Sequence, residues 1–480
     1  MPRFITFLLL LLSLPYSLDA QPKYEVRAAW ISTAYGLDWP SHYALSATSI
    51  QRQKEELTTY LDQLQAAHFN TVLFQVRLRS DVLYPSAIEP FSSVLTGKAG
   101  RTPGYDPLAF AVAECHKRGM ECHAWMVAIP LGSKKQVASL GKQSVVQRHK
   151  SLCVAYKNEY FLNPGQPRTK EYLFSLVKEV VSRYDVDGVQ FDYLRYPEHA
   201  TAFPDRKEFR HYGKGRNLEQ WRRDNITDIL RYIYKGIKTL KPWVKVTVCP
   251  VGKYNDTSRY PSRGWNAFAT VHQDTKVWLA EGIVDQLYPM MYFQGNNFYP
   301  FVLDWQEQAG GRHIIPGLGI YFLHAQEGNW KLDEVVRQLH YLRHHRLPGE
   351  AFYRMKFLAD DSQGIYTELA EHFYTQPALQ PPMPWLDHIA PTPPTNLQVK
   401  KIAEGYTKLT WQPSADNDSL NTPMYVVYAS DTYPVDTALP QNIVAQGVRD
   451  TSYIYSPSYP WQRKEYFAVT AVDRYGNESK

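Results

Sequence analysis

The sequence is poor in cysteine, with four in 480 residues: Cys115, Cys122, Cys153 and Cys249. No two of them have a Cys-x-x-Cys spacing, which excludes the common structural zinc sites and dithiol redox centres. A chain of this length can bury a sufficient core without disulfides, so no essential bridge is expected. Cys122 and Cys249 fall in predicted strands and read as buried thiols. A His-Glu-x-x-His motif is missing, and His116, His123 and His272 show no other ligand spacing, so no metal site is expected. No Gly-rich phosphate loop follows the first predicted strand, so no nucleotide cofactor is expected. The net charge of +6 is too small and too dispersed to indicate nucleic acid as a partner. Long apolar runs are lacking except near the start. There Phe4–Leu14 follows Arg3, and Leu18-Asp19-Ala20 precedes Gln21. Such a run is too short to span a bilayer, so residues 1–20 read as a signal peptide rather than a transmembrane anchor. The expected location is therefore periplasm, cell surface or medium.

Aromatic residues, in contrast, are abundant. They make up 14% of the chain, with 35 Tyr and 12 Trp. Such rings can line a sugar-binding cleft, because a flat apolar face packs on the C–H face of a sugar; the alternative is a Tyr-rich core and surface. The charge is unevenly divided. Residues 391–480 hold 8 basic and 9 acidic side chains, and Arg3 and Asp19 cancel in the leader, so residues 21–390 carry +7. That excess suits an anionic polymer.

Between residues 24 and 375, β-rich runs alternate with helical stretches. The predicted strands are Val26–Ser32, Asn70–Arg77, Glu121–Ala128, Gly188–Asp192, Lys245–Val251, Val284–Tyr292, His313–Phe322 and Gly349–Leu358. Between them, Leu57, Tyr60, Leu61, Leu64 and Ala67 follow helical spacing, as do Leu173, Leu176, Val177, Val180 and Val181. Strand–helix units in series predict an α/β fold, a (β/α)8 TIM barrel over residues 21–376, with a doubly wound open sheet as the alternative. The segments 78–107, 129–170, 193–220, 252–275 and 293–310 follow strands two to six. In a barrel all of them lie on the C-terminal face, where active sites are built, and long loops there make a groove suited to a polymer.

A Pro-rich linker, residues 377–392, reads as a stiff connector to residues 393–480. Those contain short alternating strands. The segment Pro393-Pro394-Thr395-Asn396-Leu397, the strand Leu409-Thr410-Trp411 and the ending Ala468–Ser479 resemble a fibronectin type III module, an all-β sandwich with Trp411 in its core.

The segment Asp187-Gly188-Val189-Gln190-Phe191-Asp192-Tyr193-Leu194-Arg195 carries the clearest chemical signal. Asp192 closes strand four on the functional face, and Asp187 opens it at the other end. A five-residue strand separates them by ~16 Å, whereas glycosidase carboxyl pairs lie ~5 to ~9.5 Å apart. Asp187 is therefore not the partner of Asp192; satisfying backbone donors at the strand entry suits it better. Asp192 is the candidate catalytic carboxyl, with a structural or sugar-binding carboxylate as the alternative. Glu198, six residues on, is the candidate for a second, and Asp81 is also available; a loop-fixing salt bridge is the other reading of Glu198. Gln75 and Arg77 alternate with Phe74 and Val76 and would face inward near the barrel mouth, to bind substrate or to form a packed Arg–carboxylate network. Trp30, Trp125, Tyr288 and Tyr292 end strands on the same face and are candidate stacking platforms; Tyr193 and Arg195 flank Asp192.

These segments also resemble a known family. The matches are Glu25–Trp30, Phe69–Arg77 with Asp81 and Tyr84, Gly104–Leu108, His116–Gly119, His123–Trp125, Asp187–Tyr193 and Gly317–Gly319. Together they resemble glycosyl-hydrolase-like family ten, exported bacterial TIM-barrel proteins, over nearly all of residues 24–375. The resemblance implies hydrolysis of bacterial glycans, with peptidoglycan-type strands as a substrate class and Asp192 on the family's strand-four carboxylate. Two positions depart from the family pattern. Met126-Val127-Ala128-Ile129-Pro130 stands where members often carry Asn-Pro-Tyr-Arg, and Tyr193 stands where many have a second Asp. The expected function is an exported glycoside hydrolase of a bacterial envelope polysaccharide, with peptide-free peptidoglycan strands as one such substrate. The alternative is a non-catalytic glycan-binding barrel. The sequence says nothing of oligomeric state.

Overall fold

The computed structural model describes residues 21–418, 420, 422–457 and 459–480. The expected signal peptide lies outside them. Strands β1 (Val26–Ile31), β2 (Thr71–Arg77), β3 (Glu121–Val127), β4 (Gly188–Asp192), β5 (Lys245–Val248) and β6 (Gln286–Leu287) run parallel in sequence order. The seventh, β7, is broken. His313–Ile314 pairs with β6, and Gly317–Leu318 pairs with β8 (Gly349–Phe352). Pro316 interrupts it, since proline has no N–H to donate to the ladder. With β8 also paired to β1, the sheet closes on itself into an eight-stranded barrel.

Each strand is followed by a helix: α1 (Ala47–Ala66), α2 (Pro107–Lys117), α3 (Thr169–Arg183), α4 (Leu218–Leu240), α5 (Thr275–Ala280), α6 (Tyr299–Glu307), α7 (Leu332–His344) and α8 (Met355–Ala359). Local chemistry sets their starts. The Ser46 hydroxyl accepts the Ser49 N–H to cap α1, Asp106 caps α2 ahead of Pro107, and Asn217 caps α4. Leu57, Leu61 and Leu64 of α1, and Leu173, Leu176, Val177, Val180 and Val181 of α3, are buried against the strands. Removing one such side chain, as in Leu176→Ala, is expected to cost about 2–5 kcal/mol.

The barrel interior has its own core of Val26, Ala28, Trp30, Leu73, Trp125, Cys249, Tyr288, Ile315 and Ala351. Alternation along each strand produces it, since every second side chain points inward. Gly188 belongs to the same inner face. A Cβ there would lie 2.7 Å from the His123 ring, so glycine makes room for that imidazole.

The C-terminal part is an all-β sandwich of two antiparallel sheets. β9 (Thr395–Ala403), β10 (Tyr406–Gln412) and β13 (Ser452–Tyr455) form one; β12 (Ile443–Val448), β11 (Met424–Ser430) and β14 (Tyr466–Val472) form the other. Trp411 is buried between them, edge-on to Tyr425 with ring centroids 5.2 Å apart.

The sandwich packs on the base of the barrel, where the strands begin. Arg474 reaches Asp185 at 2.8 Å and Asp187 at 3.0 Å, and Arg449 reaches Asp185 at 3.1 Å. Asp187 also accepts from the Cys122 N–H at 2.8 Å, the strand-entry role expected of it. The proline-rich segment is strapped across the same base. Its Gln376 carbonyl accepts from Arg27 at 2.6 Å, Leu379 exchanges backbone bonds with Lys23 and Glu25, and Trp385 Nε1 donates to Asp285 at 3.1 Å.

Candidate active site

The C-terminal ends of the strands surround a cavity of about 220 Å³. Trp30 comes from β1, Gln75 from β2, Trp125 and Val127 from β3, and Asp192 from β4. Register brings the central pair together: Val127 lies opposite Asp192 and Trp125 opposite Gln190, so Trp125 and Asp192 both point inward near the mouth. Trp125 Nε1 donates to Asp192 Oδ2 at 3.3 Å. The Tyr193 N–H donates to Asp192 Oδ1 at 2.7 Å. Below them Trp30 Nε1 donates to Gln190 Oε1 at 2.7 Å.

Asp192 is 6% exposed. Burial pushes its carboxyl up to about 6, against the opposing pull of Arg195 and the two hydrogen bonds. No arginine or lysine is within salt-bridge distance of it among the described residues. A carboxyl held in this way keeps its proton to near-neutral pH, which is what a general acid requires. Among the described residues lining the cavity, Asp192 is the one carboxyl group.

Aromatic rings form the walls. Tyr292 and Tyr353 stack with centroids 5.6 Å apart and planes at 20°. Tyr353 also meets Trp30 and Trp125 edge-on at 6.1 and 6.5 Å. Tyr193 is 37% exposed and lies in the left-handed region at φ 51°, with the Arg195 guanidinium 4.6 Å from its ring centre. Tyr35 and Arg79 stand at the rim. Both are tied to the segment after β3, Tyr35 through Gln136 at 3.0 Å and Arg79 through Glu159 at 2.9 Å.

The structure brings together Trp30, Gln75, Trp125, Asp192, Tyr193 and Tyr292 of the residues expected from sequence. Gln75 also holds the loop after β1, since its Oε1 accepts the N–H groups of Thr33 and Ala34, both at 2.9 Å. Five others lie elsewhere. Arg77 is fully buried, with Nε and Nη2 on the two oxygens of Glu89, each at 2.7 Å. A register shift between Gln75 and Arg77 breaks the alternation that would have put both on one face, so Arg77 is a packing residue and not a substrate contact. Asp81 is partly buried in the loop after β2, outside the cavity lining, and desolvation of its carboxyl pushes it up to about 7. Tyr288 points down the barrel, its hydroxyl donating to Gln286 Oε1 at 3.0 Å. Arg195 is behind Tyr193, and Glu198 pairs with Arg195 at 3.8 Å outside the lining.

Sequence reasoning missed Tyr353, Arg79, Tyr35 and Met290, and placed Cys249 only as a buried thiol. Tyr353 had a usable signal, since it directly follows strand eight. The expected strand runs to Leu358, but the observed one stops at Phe352 and α8 begins at Met355.

Residues 25–321 match the family model described as Glycosyl hydrolase-like 10. Glycosyl hydrolase YngK of Bacillus subtilis is 31% identical over 500 aligned residues, covering 100% of this chain and 97% of YngK. Glycosyl hydrolase DigH of Escherichia coli is 35% identical over 300 residues, 58% of this chain and 68% of DigH. Among solved structures, the PgaB (BpsB) glycoside hydrolase domain from Bordetella bronchiseptica superposes with a TM-score of 0.51 at 14% identity, over 72% of this chain and 98% of that domain. That likeness concerns the fold.

Proposed function

The chain belongs to the Glycosyl hydrolase-like 10 family and is a glycoside hydrolase, and from that premise we propose that it is exported and cleaves an amino-sugar polymer of the bacterial envelope, such as peptide-free peptidoglycan strands, with Asp192 as general acid and base. The observation that carries this reading is the buried, raised Asp192 carboxyl in an aromatic cavity at the barrel mouth.

An inverting or a double-displacement mechanism needs two protein carboxyls across the scissile bond, and substrate-assisted enzymes need fewer. With one carboxyl in the lining, the second group is best supplied by the sugar. In this reading the Asp192 proton goes to the glycosidic oxygen as the C1–O bond breaks. The carbonyl oxygen of the 2-acetamido group attacks C1 and forms an oxazolinium ring. Water then adds at C1, gives one proton back to the Asp192 carboxylate, and regenerates the acetamide. The net change is hydrolysis with retained configuration. Trp30, Trp125, Tyr193, Tyr292 and Tyr353 offer ring faces or edges to the sugar.

The +7 excess on the barrel segment favours a polymer that carries carboxylates. Attraction of this kind is screened over ~8 Å at physiological salt, so it speeds encounter more than it selects. The leader-like run Phe4–Leu14 supports export to where such a polymer is found. The test is a panel of peptide-free peptidoglycan strands, chitin fragments and neutral glucans, incubated across a salt series, with products identified by mass. The reading expects amino-sugar products and rates that fall with salt on the anionic strands. Cleavage of neutral glucans alone, indifferent to salt, would overturn it.

A further inference from the structure

The sandwich meets the barrel along the outer face of the sheet β12-β11-β14, where Val426, Tyr428 and Ile443 pack with Leu379, and at its near end. There β11 begins at Met424 and β14 finishes at Val472, beside Arg474 and Glu478, which bond to the barrel. At the other end Ser430 of β11 lies opposite Tyr466 of β14. There Lys464 Nζ, just before β14, bonds Asp431 Oδ2, just after β11, at 2.6 Å.

Four aromatic side chains are exposed at this distal tip: Tyr433 and Trp461 at 77% each, Tyr459 at 52% and Tyr466 at 38%. They form two pairs. Tyr459 and Trp461 stack with centroids 4.6 Å apart and planes at 9°. Tyr433 and Tyr466 lie 5.6 Å apart at 53°. One exposed ring is ordinary, whereas four on one tip form an aromatic patch of the kind found at interaction sites. The stacked pair is also held in place before any ligand arrives. Tyr455 donates its hydroxyl to the Gln462 carbonyl at 2.9 Å, and the Tyr459 N–H donates to Gln462 Oε1 at 3.2 Å.

We propose that this tip is a second carbohydrate-binding site, which holds a polysaccharide chain by ring stacking apart from the catalytic cavity. Three features select a polysaccharide. Stacked rings each keep one face free, and a sugar offers a flat C–H face of matching size. All four side chains carry a polar group at the ring edge, and Arg463 and Lys464 stand beside them, which suits a hydroxylated ligand. Finally, a glycoside hydrolase works on polysaccharide, so this is the polymer the tip meets. The sandwich sits at the barrel base, whereas the cavity opens at the opposite face. One straight strand therefore does not pass through both sites. The tip anchors the enzyme to insoluble polymer while the cavity cuts a neighbouring strand. The proposal rests on the glycosidase activity and not on which polymer is cut.

The test uses the full chain carrying Asp192→Asn, so that nothing is degraded, in co-sedimentation with protein-free sacculi, chitin and cellulose. Trp461→Ala, and separately Tyr433→Ala with Tyr466→Ala, are compared with the parent. The expected result is retention on at least one polymer, weakened about 10-fold by Trp461→Ala. With Asp192 restored, the same variants should cleave short soluble fragments at the parental rate. Equal retention of parent and Trp461→Ala on every polymer would overturn the proposal. So would Trp461-dependent retention found only on crude envelope and abolished by protease, which would identify a protein partner. Trp461-dependent binding to chitin or cellulose but not to sacculi would leave the tip site standing and count against the proposed substrate.

Discussion

Trp125 and Asp192, on adjacent strands, meet at the barrel mouth with the indole Nε1 3.3 Å from Asp192 Oδ2. The indole can only donate, so the bond favours the charged carboxylate and holds the side chain toward the cavity. It opposes burial, which on balance still holds the carboxyl up at about 6. Trp125→Phe keeps a ring and removes the donor. The Asp192 value should then rise further, and the alkaline limb of the kcat/KM profile should move to higher pH, with kcat falling about 10-fold from lost positioning. A pH–rate series on both proteins checks this, and an unmoved limb would separate Trp125 from the titration.

The raised Asp192 carboxyl also has a stability cost. Its folded value, about 6, exceeds the ordinary 3.8. Below the lower value both states are protonated and no penalty exists. The penalty grows between the two and is complete above the higher one. A shift of about two units corresponds to about 3 kcal/mol. Asp192→Asn should therefore be more stable than the parent at pH 8, by up to that amount, and similar to it at pH 3.5. Urea unfolding at both values measures the difference. Equal stability at pH 8 would mean that the carboxyl is not strained by burial.

Glu198 separates two catalytic schemes. It lies outside the cavity lining, 3.8 Å from Arg195 and half-exposed. If the substrate acetamide is the nucleophile, Glu198→Gln should keep activity within about 10-fold of the parent. A loss of about 1,000-fold, restored by added azide or formate, would make Glu198 a catalytic carboxylate instead.

At the base, Arg474 bridges Asp185 and Asp187 across the junction between barrel and sandwich. Arg474→Ala leaves Asp187 with His116 and the Cys122 N–H. It should cost about 3 kcal/mol while leaving cleavage of short fragments unchanged, because the cavity is at the far face. A chain ending at Tyr374 should suffer more, since it loses the strap that carries Leu379, Met383 and Trp385. Unfolding curves of both variants test this. Parental stability of the truncated chain would show that the strap contributes nothing.

Much of this is legible in the sequence, and the exceptions have identifiable causes. Asp192, Trp125 and Trp30 are readable because a barrel puts the ends of its strands on one face and alternation then selects the inward side chains. Arg77 is not, because the shift after Gln75 leaves no mark on composition. Tyr288 reads as a mouth residue when strand six is carried to Tyr292, while its regular pairing ends at Leu287 and the hydroxyl turns back to Gln286. Arg79 and Tyr35 are in loops and reach the rim only through contacts with residues far along the chain. The prolines of the strap suggest a spacer, yet Leu379, Met383 and Trp385 between them are the sign of a packed segment.

Asp192 as the proton donor is the central claim, and the most direct measurement is turnover by Asp192→Asn on peptide-free peptidoglycan strands and on an aryl glycoside of the same sugar. A better leaving group needs less help from an acid. The expected result is a loss of at least ~1,000-fold on the strands, and a much smaller loss in cleavage of the aryl bond. Near-parental turnover of the strands by the folded variant would contradict it.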